Sequence, residues 1–155
     1  MNRAQELAEK IEKHTARVGV IGLGYVGLPL AVEMARVGFT VTGIDVDSAK
    51  TGRLEQGECY IDDVDATLVA DLVRRKKLRA TSDFSAVADL DTVNICVPTP
   101  LRKTKDPDMS YVVAAAEQIA RYIHPGMLII LESTTYPGTT EERSEERRVG
   151  KECRL

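Results

Sequence analysis

Three glycines fall in a G-x-G-x-x-G pattern at Gly22-Leu23-Gly24-Tyr25-Val26-Gly27, directly after the apolar run Val18-Gly19-Val20-Ile21 and before a segment of helical period. A strand that turns sharply into a helix leaves backbone N–H groups aimed at one spot, and the helix dipole makes that spot attractive to a pyrophosphate. Gly22 permits the turn, Gly24 removes the side chain that would block a phosphate, and Gly27 brings the helix close to the strand. About 20 residues further on, Thr40-Val41-Thr42-Gly43-Ile44 ends in Asp45, a carboxylate able to accept hydrogen bonds from both hydroxyls of an adenine ribose. The same charge repels a 2′-phosphate, so the expected ligand is NAD rather than NADP. The pattern alone can be mere turn and packing chemistry; a strand before it, a helix after it and the acid at the end of the second run are the further conditions that favour a dinucleotide.

Two other stretches carry chemistry. Asn94-Ile95-Cys96-Val97-Pro98-Thr99-Pro100 ends an apolar run in a stiff loop, because each proline fixes φ and withdraws an N–H donor. Such a loop can wall a nicotinamide, or can be only a rigid connection. Glu132-Ser133-Thr134-Thr135-Tyr136-Pro137-Gly138-Thr139-Thr140 is a hydroxyl-rich turn that can hold a water or a sugar oxygen, or can cap a helix.

The elements that must position these groups alternate in type. Strands are expected at Val18 to Ile21, Thr40 to Ile44, Leu78 to Thr81, Thr92 to Val97 and Leu128 to Leu131. Helices are expected at Val26 to Val37, Ser48 to Gln56, Ala66 to Lys77, Phe84 to Ala88 and Ser110 to Ile123. Alternation of this kind gives an α/β fold, a Rossmann-type doubly wound parallel sheet with order 3-2-1-4-5 and a crevice between the first and fourth strands. Gly38 supplies a left-handed cap for the first helix, and Pro125-Gly126 breaks the chain before the last strand. Asp62, Asp63 and Asp65 read as cap and dipole charge for the helix that follows, with a metal site as the other reading. The run Arg74-Arg75-Lys76-Lys77 suits the C-terminal end of that helix, with phosphate binding as its alternative. Asn2 to Arg17 is charged and helical in pattern, with Ala4, Leu7, Ala8 and Ile11 on one face; the leading helix falls within 1–14.

Bulk properties narrow the class. The 155 residues make about one domain, 43% hydrophobic and 29% charged. A net charge of −3 argues against a nucleic-acid surface. The odd set Cys59, Cys96 and Cys153 suggests neither a disulfide framework nor a metal knuckle, and a reducing cytoplasm suits it. No stretch reads as a signal peptide or a bilayer span, so no membrane partner is expected.

Taken together, Val20 to Pro29, Gly43-Ile44-Asp45-Val46-Asp47, Gly57-Glu58-Cys59-Tyr60-Ile61, Cys96 to Pro100 and Glu132 to Thr140 resemble the UDP-glucose/GDP-mannose dehydrogenase family over roughly residues 15 to 142. The matching part is the N-terminal NAD-binding domain, in the branch that oxidises UDP-N-acetylhexosamines or UDP-glucose at C6. The resemblance implies NAD-dependent oxidation of a sugar C6 alcohol, through an aldehyde trapped on a cysteine thiolate, to a carboxylate used in polysaccharide biosynthesis. It implies that Gly22, Gly24, Tyr25, Val26 and Gly27 hold the pyrophosphate, Asp45 the ribose, with Lys50 near the same end. Val97, Pro98 and Thr99 would line the cofactor, and Thr135 would be the catalytic threonine that helps to place a water. A UDP-sugar partner and a homodimer or higher assembly are implied for the full-length enzyme.

The chain also departs from the family. None of the three cysteines stands in its glycine-rich nucleophile context, and the other catalytic groups lie downstream of anything present, so the expected fragment binds NAD but is inactive. After Glu142 the likeness stops, and 143–155 reads as a non-native charged tail of adapter type, against a genuine charged helix end as the alternative. The domain reading is therefore 1–142 as an incomplete dinucleotide-binding domain, truncated after its fifth strand. An apolar fifth strand left at an edge would invite self-association. Two other functional readings stand beside this one: a non-catalytic NAD-sensing regulatory domain, and a dehydrogenase of hydroxyacids or acyl-CoA.

Overall fold

The computed structural model describes residues 2–134. Its centre is β1 (Arg17–Ile21), paired in parallel with β2 (Thr40–Ile44) on one side and with β4 (Thr92–Ile95) on the other. β3 (Leu78–Thr81) adds to β2, and β5 (Leu128–Leu131) adds to β4, giving the order β3-β2-β1-β4-β5. This is the expected doubly wound topology, and three of the five strands begin and end where the sequence placed them.

Because side chains alternate across a strand, the sheet carries a core on each face. Val18, Val20 and Val41 face one side, where they pack with α2 (Gly27–Arg36) and α4 (Ala66–Arg74) through Leu28, Ala31, Val32, Val69 and Leu72. Ile21, Ile44, Val93 and Ile95 face the other, against Val87, Leu90 and the Ala115 and Ile119 positions of α5 (Ser110–Ala120). Helix α3 (Ser48–Glu55) sends Leu54 into the first core, and its Glu55 carboxylate accepts from the Ala80 N–H of β3 at 2.6 Å. That bond occupies a donor on an edge strand.

Several ends differ from the sequence expectation. α4 stops at Arg74 rather than Lys77 because Lys76 adopts a left-handed φ of 58° and Lys77 N donates back to Leu72 O at 2.9 Å, which turns the chain into β3. Its basic end is engaged structurally: Arg74 and Arg75 pair with Asp71, and Lys77 Nζ donates to Gly38 O at 2.8 Å. α5 ends at Ala120, not Ile123, as Tyr122 N tightens onto Ile119 O just before His124-Pro125. The Phe84 segment is a 3-10 helix over Phe84–Asp89, started by Asp83 bonding to Ser85 N. β4 ends at Ile95 rather than Val97. One more ladder bond, Cys96 N to Ile21 O at 2.7 Å, precedes the prolines. Gly38 does take the left-handed cap position, with φ 119°.

α1 (Arg3–Glu12) forms behind an Asn2–Gln5 capping box, yet buries none of its residues fully. Asp91 fastens it to the sheet, with Oδ1 2.6 Å from Lys10 Nζ and Oδ2 accepting from Arg17 N at 2.7 Å. At the far edge Leu128 and Ile129 of β5 are exposed among the described residues.

Two stability predictions follow from buried and half-buried polar groups. Asn94 is 1% exposed in β4; its amide nitrogen donates to Gly19 O at 3.2 Å, but among the described residues Oδ1 has no partner. Asn94→Leu keeps the branching and removes the unpaired oxygen, so stability should rise by about 1 kcal/mol and the melting temperature by roughly 2–4 °C; an unchanged or lower midpoint contradicts the assignment. Partial burial alone would raise the Asp91 pKa, but the Arg17 N–H and the Lys10 ammonium more than offset it and hold the carboxyl below its ordinary value. A depressed folded pKa stabilises above the unfolded value and is lost as pH falls through the folded one. Asp91→Asn should therefore destabilise at neutral pH, with the gap to wild type closing in denaturant titrations below about pH 4.

Candidate functional site

The carboxyl ends of β1, β2 and β4 meet where β1 turns into α2. Gly22 takes φ 91°, and its N–H donates to Ile44 O at 2.8 Å. A Cβ on Gly22 would lie 2.7 Å from Cys96 O, and one on Gly27 only 1.6 Å from Gly22 O. These two glycines are thus required by the protein itself. Gly24 is different: its φ is not in the left-handed region, and a Cβ there would meet nothing within 4 Å among the described residues. No contact among the described residues demands a glycine at 24, so the bare backbone there leaves space. Beyond it α2 begins without a side-chain cap, Val26 serving as the N-cap residue, and Tyr25 and Val26 project into solvent at 84% and 62% exposure. The N–H groups of Gly24, Tyr25 and Val26 make no hydrogen bond among the described residues, which fits an anion-binding helix start.

Asp45 sits at the end of β2, nearly buried. Its Oδ2 accepts from Leu23 N at 2.8 Å and its Oδ1 from Asp47 N at 2.9 Å. A carboxylate offers about four acceptor positions, so this one retains capacity for a pair of further donors, such as the vicinal hydroxyls of a ribose. Asp47 in turn caps α3, accepting from Ala49 N and, at 3.4 Å, from Lys50 N. Lys50 therefore lies in the first turn of α3, at the same end of the sheet as Asp45.

The segment after β4 is braced from β5. Ser133 Oγ lies 2.8 Å from Val97 O, and Glu132 N donates to Ile95 O at 2.9 Å. Pro98 and Thr99 follow, and Pro100 O accepts from Asp108 N at 2.7 Å. The intervening residues close as a small antiparallel bridge, Leu101 to Pro107, with Arg102 paired to Asp108 at 3.1 Å. The loop that carries the two prolines is tied to the sheet at its Val97 end. Thr135 lies outside the described residues, as does the 143–155 tail.

Asp65 caps α4 by accepting from Thr67 N at 2.9 Å, and no group of three potential metal ligands occurs among the described residues. Cys96 is buried beneath the glycine turn, and burial, with Glu132 nearby, pushes its thiol up to about 11, leaving it protonated and unreactive at neutral pH. Cys59 donates to Ile61 O at 3.3 Å. Sequence reasoning gave no role to Tyr60, whose hydroxyl donates to Leu23 O at 2.7 Å. Nothing in the sequence indicates that contact, since it joins positions far apart in the chain.

Comparison with known proteins agrees with this geometry. The family model described as the NAD binding domain of the UDP-glucose/GDP-mannose dehydrogenase family matches residues 16–152. The UDP-N-acetyl-D-glucosamine 6-dehydrogenase of Pseudomonas aeruginosa is 40% identical over 129 residues, covering 81% of this chain and 29% of that protein. The UDP-N-acetyl-D-mannosamine dehydrogenase of Escherichia coli K12 is 39% identical over 131 residues, covering 84% and 30%. Among solved structures, UDP-D-ManNAc dehydrogenase from Pyrococcus horikoshii superposes with a TM-score of 0.80 at 34% identity, covering 86% of this chain and 32% of that one. The chain thus spans about three-tenths of the length of these relatives. With the sheet order, the glycine turn and the family match in agreement, the chain belongs to the UDP-glucose/GDP-mannose dehydrogenase family, in the part that forms its NAD binding domain.

Proposed function

We propose that this chain is the NAD-binding part of an enzyme that oxidises the C6 alcohol of a UDP-sugar, UDP-N-acetylglucosamine or UDP-glucose, to the uronate for polysaccharide biosynthesis. The observation that carries the reading is Gly24, a glycine that no contact among the described residues requires, set between backbone N–H groups with no partner among those residues and a carboxylate with spare acceptor capacity. In this reading the N–H groups around Gly22, Gly24, Tyr25, Val26 and Gly27 receive the pyrophosphate. Asp45 accepts from the adenosine ribose, Lys50 adds a positive charge at that end, and Val97, Pro98 and Thr99 wall the nicotinamide side. Thr135 orients a water near the reacting carbon. NAD, when bound, accepts the hydride from C6.

The protonated state of Cys96 supports a division of labour in which this domain holds the cofactor and the aldehyde-trapping thiolate comes from elsewhere in the enzyme. A cytoplasmic location and a homodimeric or higher assembly belong to the same proposal. No helix among the described residues is long and apolar enough to cross a membrane. The regulatory, non-catalytic reading finds no support among the relatives, which are dehydrogenases.

Calorimetry tests the ribose assignment. Wild-type chain should bind NAD at least tenfold more tightly than NADP, a difference of about 1.4 kcal/mol. Asp45→Ala should weaken NAD by roughly tenfold to a hundredfold, the loss of charge-assisted hydrogen bonds, and should narrow the NAD to NADP ratio. Equal affinity of wild type for the two dinucleotides would refute the role given to Asp45.

A further inference from the structure

The peptide between Leu23 and Gly24 is held at both ends of its first residue. Leu23 N donates to Asp45 Oδ2 at 2.8 Å, and Leu23 O accepts from the Tyr60 phenol at 2.7 Å. A trans peptide is planar, so the carbonyl of one residue and the N–H of the next point in opposite directions. Fixing the Leu23 carbonyl toward Tyr60 therefore fixes the Gly24 N–H toward the opposite side. Among the described residues that N–H makes no hydrogen bond and the space at Gly24 is open.

The Tyr60 ring is held by packing against the first core. Tyr60 is half-buried in the connection between α3 and α4, with the Arg53 guanidinium 5.7 Å from its ring centroid. Arg53 Nε is anchored to Glu58 Oε2 at 3.2 Å. Burial first, and then the negative charge of Asp45, push the Tyr60 pKa upward, so the hydroxyl remains a donor across the physiological range. Without the phenol, the Leu23 carbonyl would be free to rotate with its peptide, and preorganisation of the donor would be lost.

We propose that Tyr60 is a positioning residue for the dinucleotide: by clamping the Leu23 carbonyl it aims the Gly24 N–H at the pyrophosphate. This rests on the NAD-binding reading above. The role is specific to the diphosphate, since Asp45 holds the ribose end directly.

The test uses the isotopically labelled 155-residue chain, with ADP and adenosine as probes. In Tyr60→Phe the Leu23 carbonyl-carbon and Gly24 amide resonances should shift in the absence of ligand. ADP affinity should fall by about tenfold while adenosine stays within about twofold, as expected for one misaligned donor. Arg53→Ala, which leaves the phenol in place, should keep the Leu23 resonance and should hold ADP within about twofold. Equal losses for ADP and adenosine, an unmoved Leu23 carbonyl in Tyr60→Phe, or an Arg53→Ala loss as large as that of Tyr60→Phe would each overturn the proposal. A wild-type chain that binds no ADP removes the nucleotide site and with it this role, even where the resonances show the clamp, so the two failures are told apart.

Discussion

The contact between the first residue of α2 and the turn that ends β1 governs the rest of the structure. β1 is bonded along both edges, so its end is fixed by β2 and β4 together. Gly27 then sits so close to Gly22 O that a Cβ could not be accommodated at 1.6 Å. A helix packed this tightly has one direction open to it, across the face lined by Val18, Val20 and Val41. Its free N–H groups are consequently delivered to the sheet's carboxyl edge. Geometry that begins as a steric demand ends as a fixed set of donors.

Asp45 links that edge to its neighbours because it works in two directions. It takes the Leu23 N–H from the β1 turn and the Asp47 N–H from the start of the next helix, so one carboxylate ties two loops to one point. Buried anions are expensive unless hydrogen-bonded, and these two donors make the charge tolerable. The oxygens' remaining lone pairs are left for an outside partner. In the proposed reading the ribose hydroxyls would meet the same two oxygens that hold the loops, so a substitution there loosens the turn as well as the ribose end.

Much of this was legible in the sequence because the signals were local. β2, β3 and β5 were delimited by apolar runs between turn residues, and the glycine spacing marked the β1 turn. Gly38 announced its cap through the need for a positive φ. Helical periodicity overruns the true ends where a tertiary demand cuts a helix short: α4 gives up its basic end so that Lys77 can reach Gly38 O and β3 can begin. The stripe of Ala4, Leu7, Ala8 and Ile11 predicted a helix correctly but not its burial, since periodicity says which residues share a face and not what covers it. Tyr60 and Asn94 were illegible for another reason. Each acts through one distant contact or its lack, which no spacing encodes.

The buried thiol beneath the turn separates cofactor binding from covalent chemistry within this fold. Cys96 follows β4 directly, bonded through its backbone to Ile21 O, and its Cβ lies where Gly27 already presses close, 3.2 Å from the position a Gly27 Cβ would take. Such a side chain has neither the room nor the charge environment to become a thiolate; burial and Glu132 both oppose ionisation. Relaxing that packing to make the thiol reactive would move Gly22 and Gly27, and with them the donors that the turn presents. A rigid turn that presents unbonded N–H groups and a mobile, ionised nucleophile make opposite demands on the same few atoms. In this domain the packing meets the first demand alone.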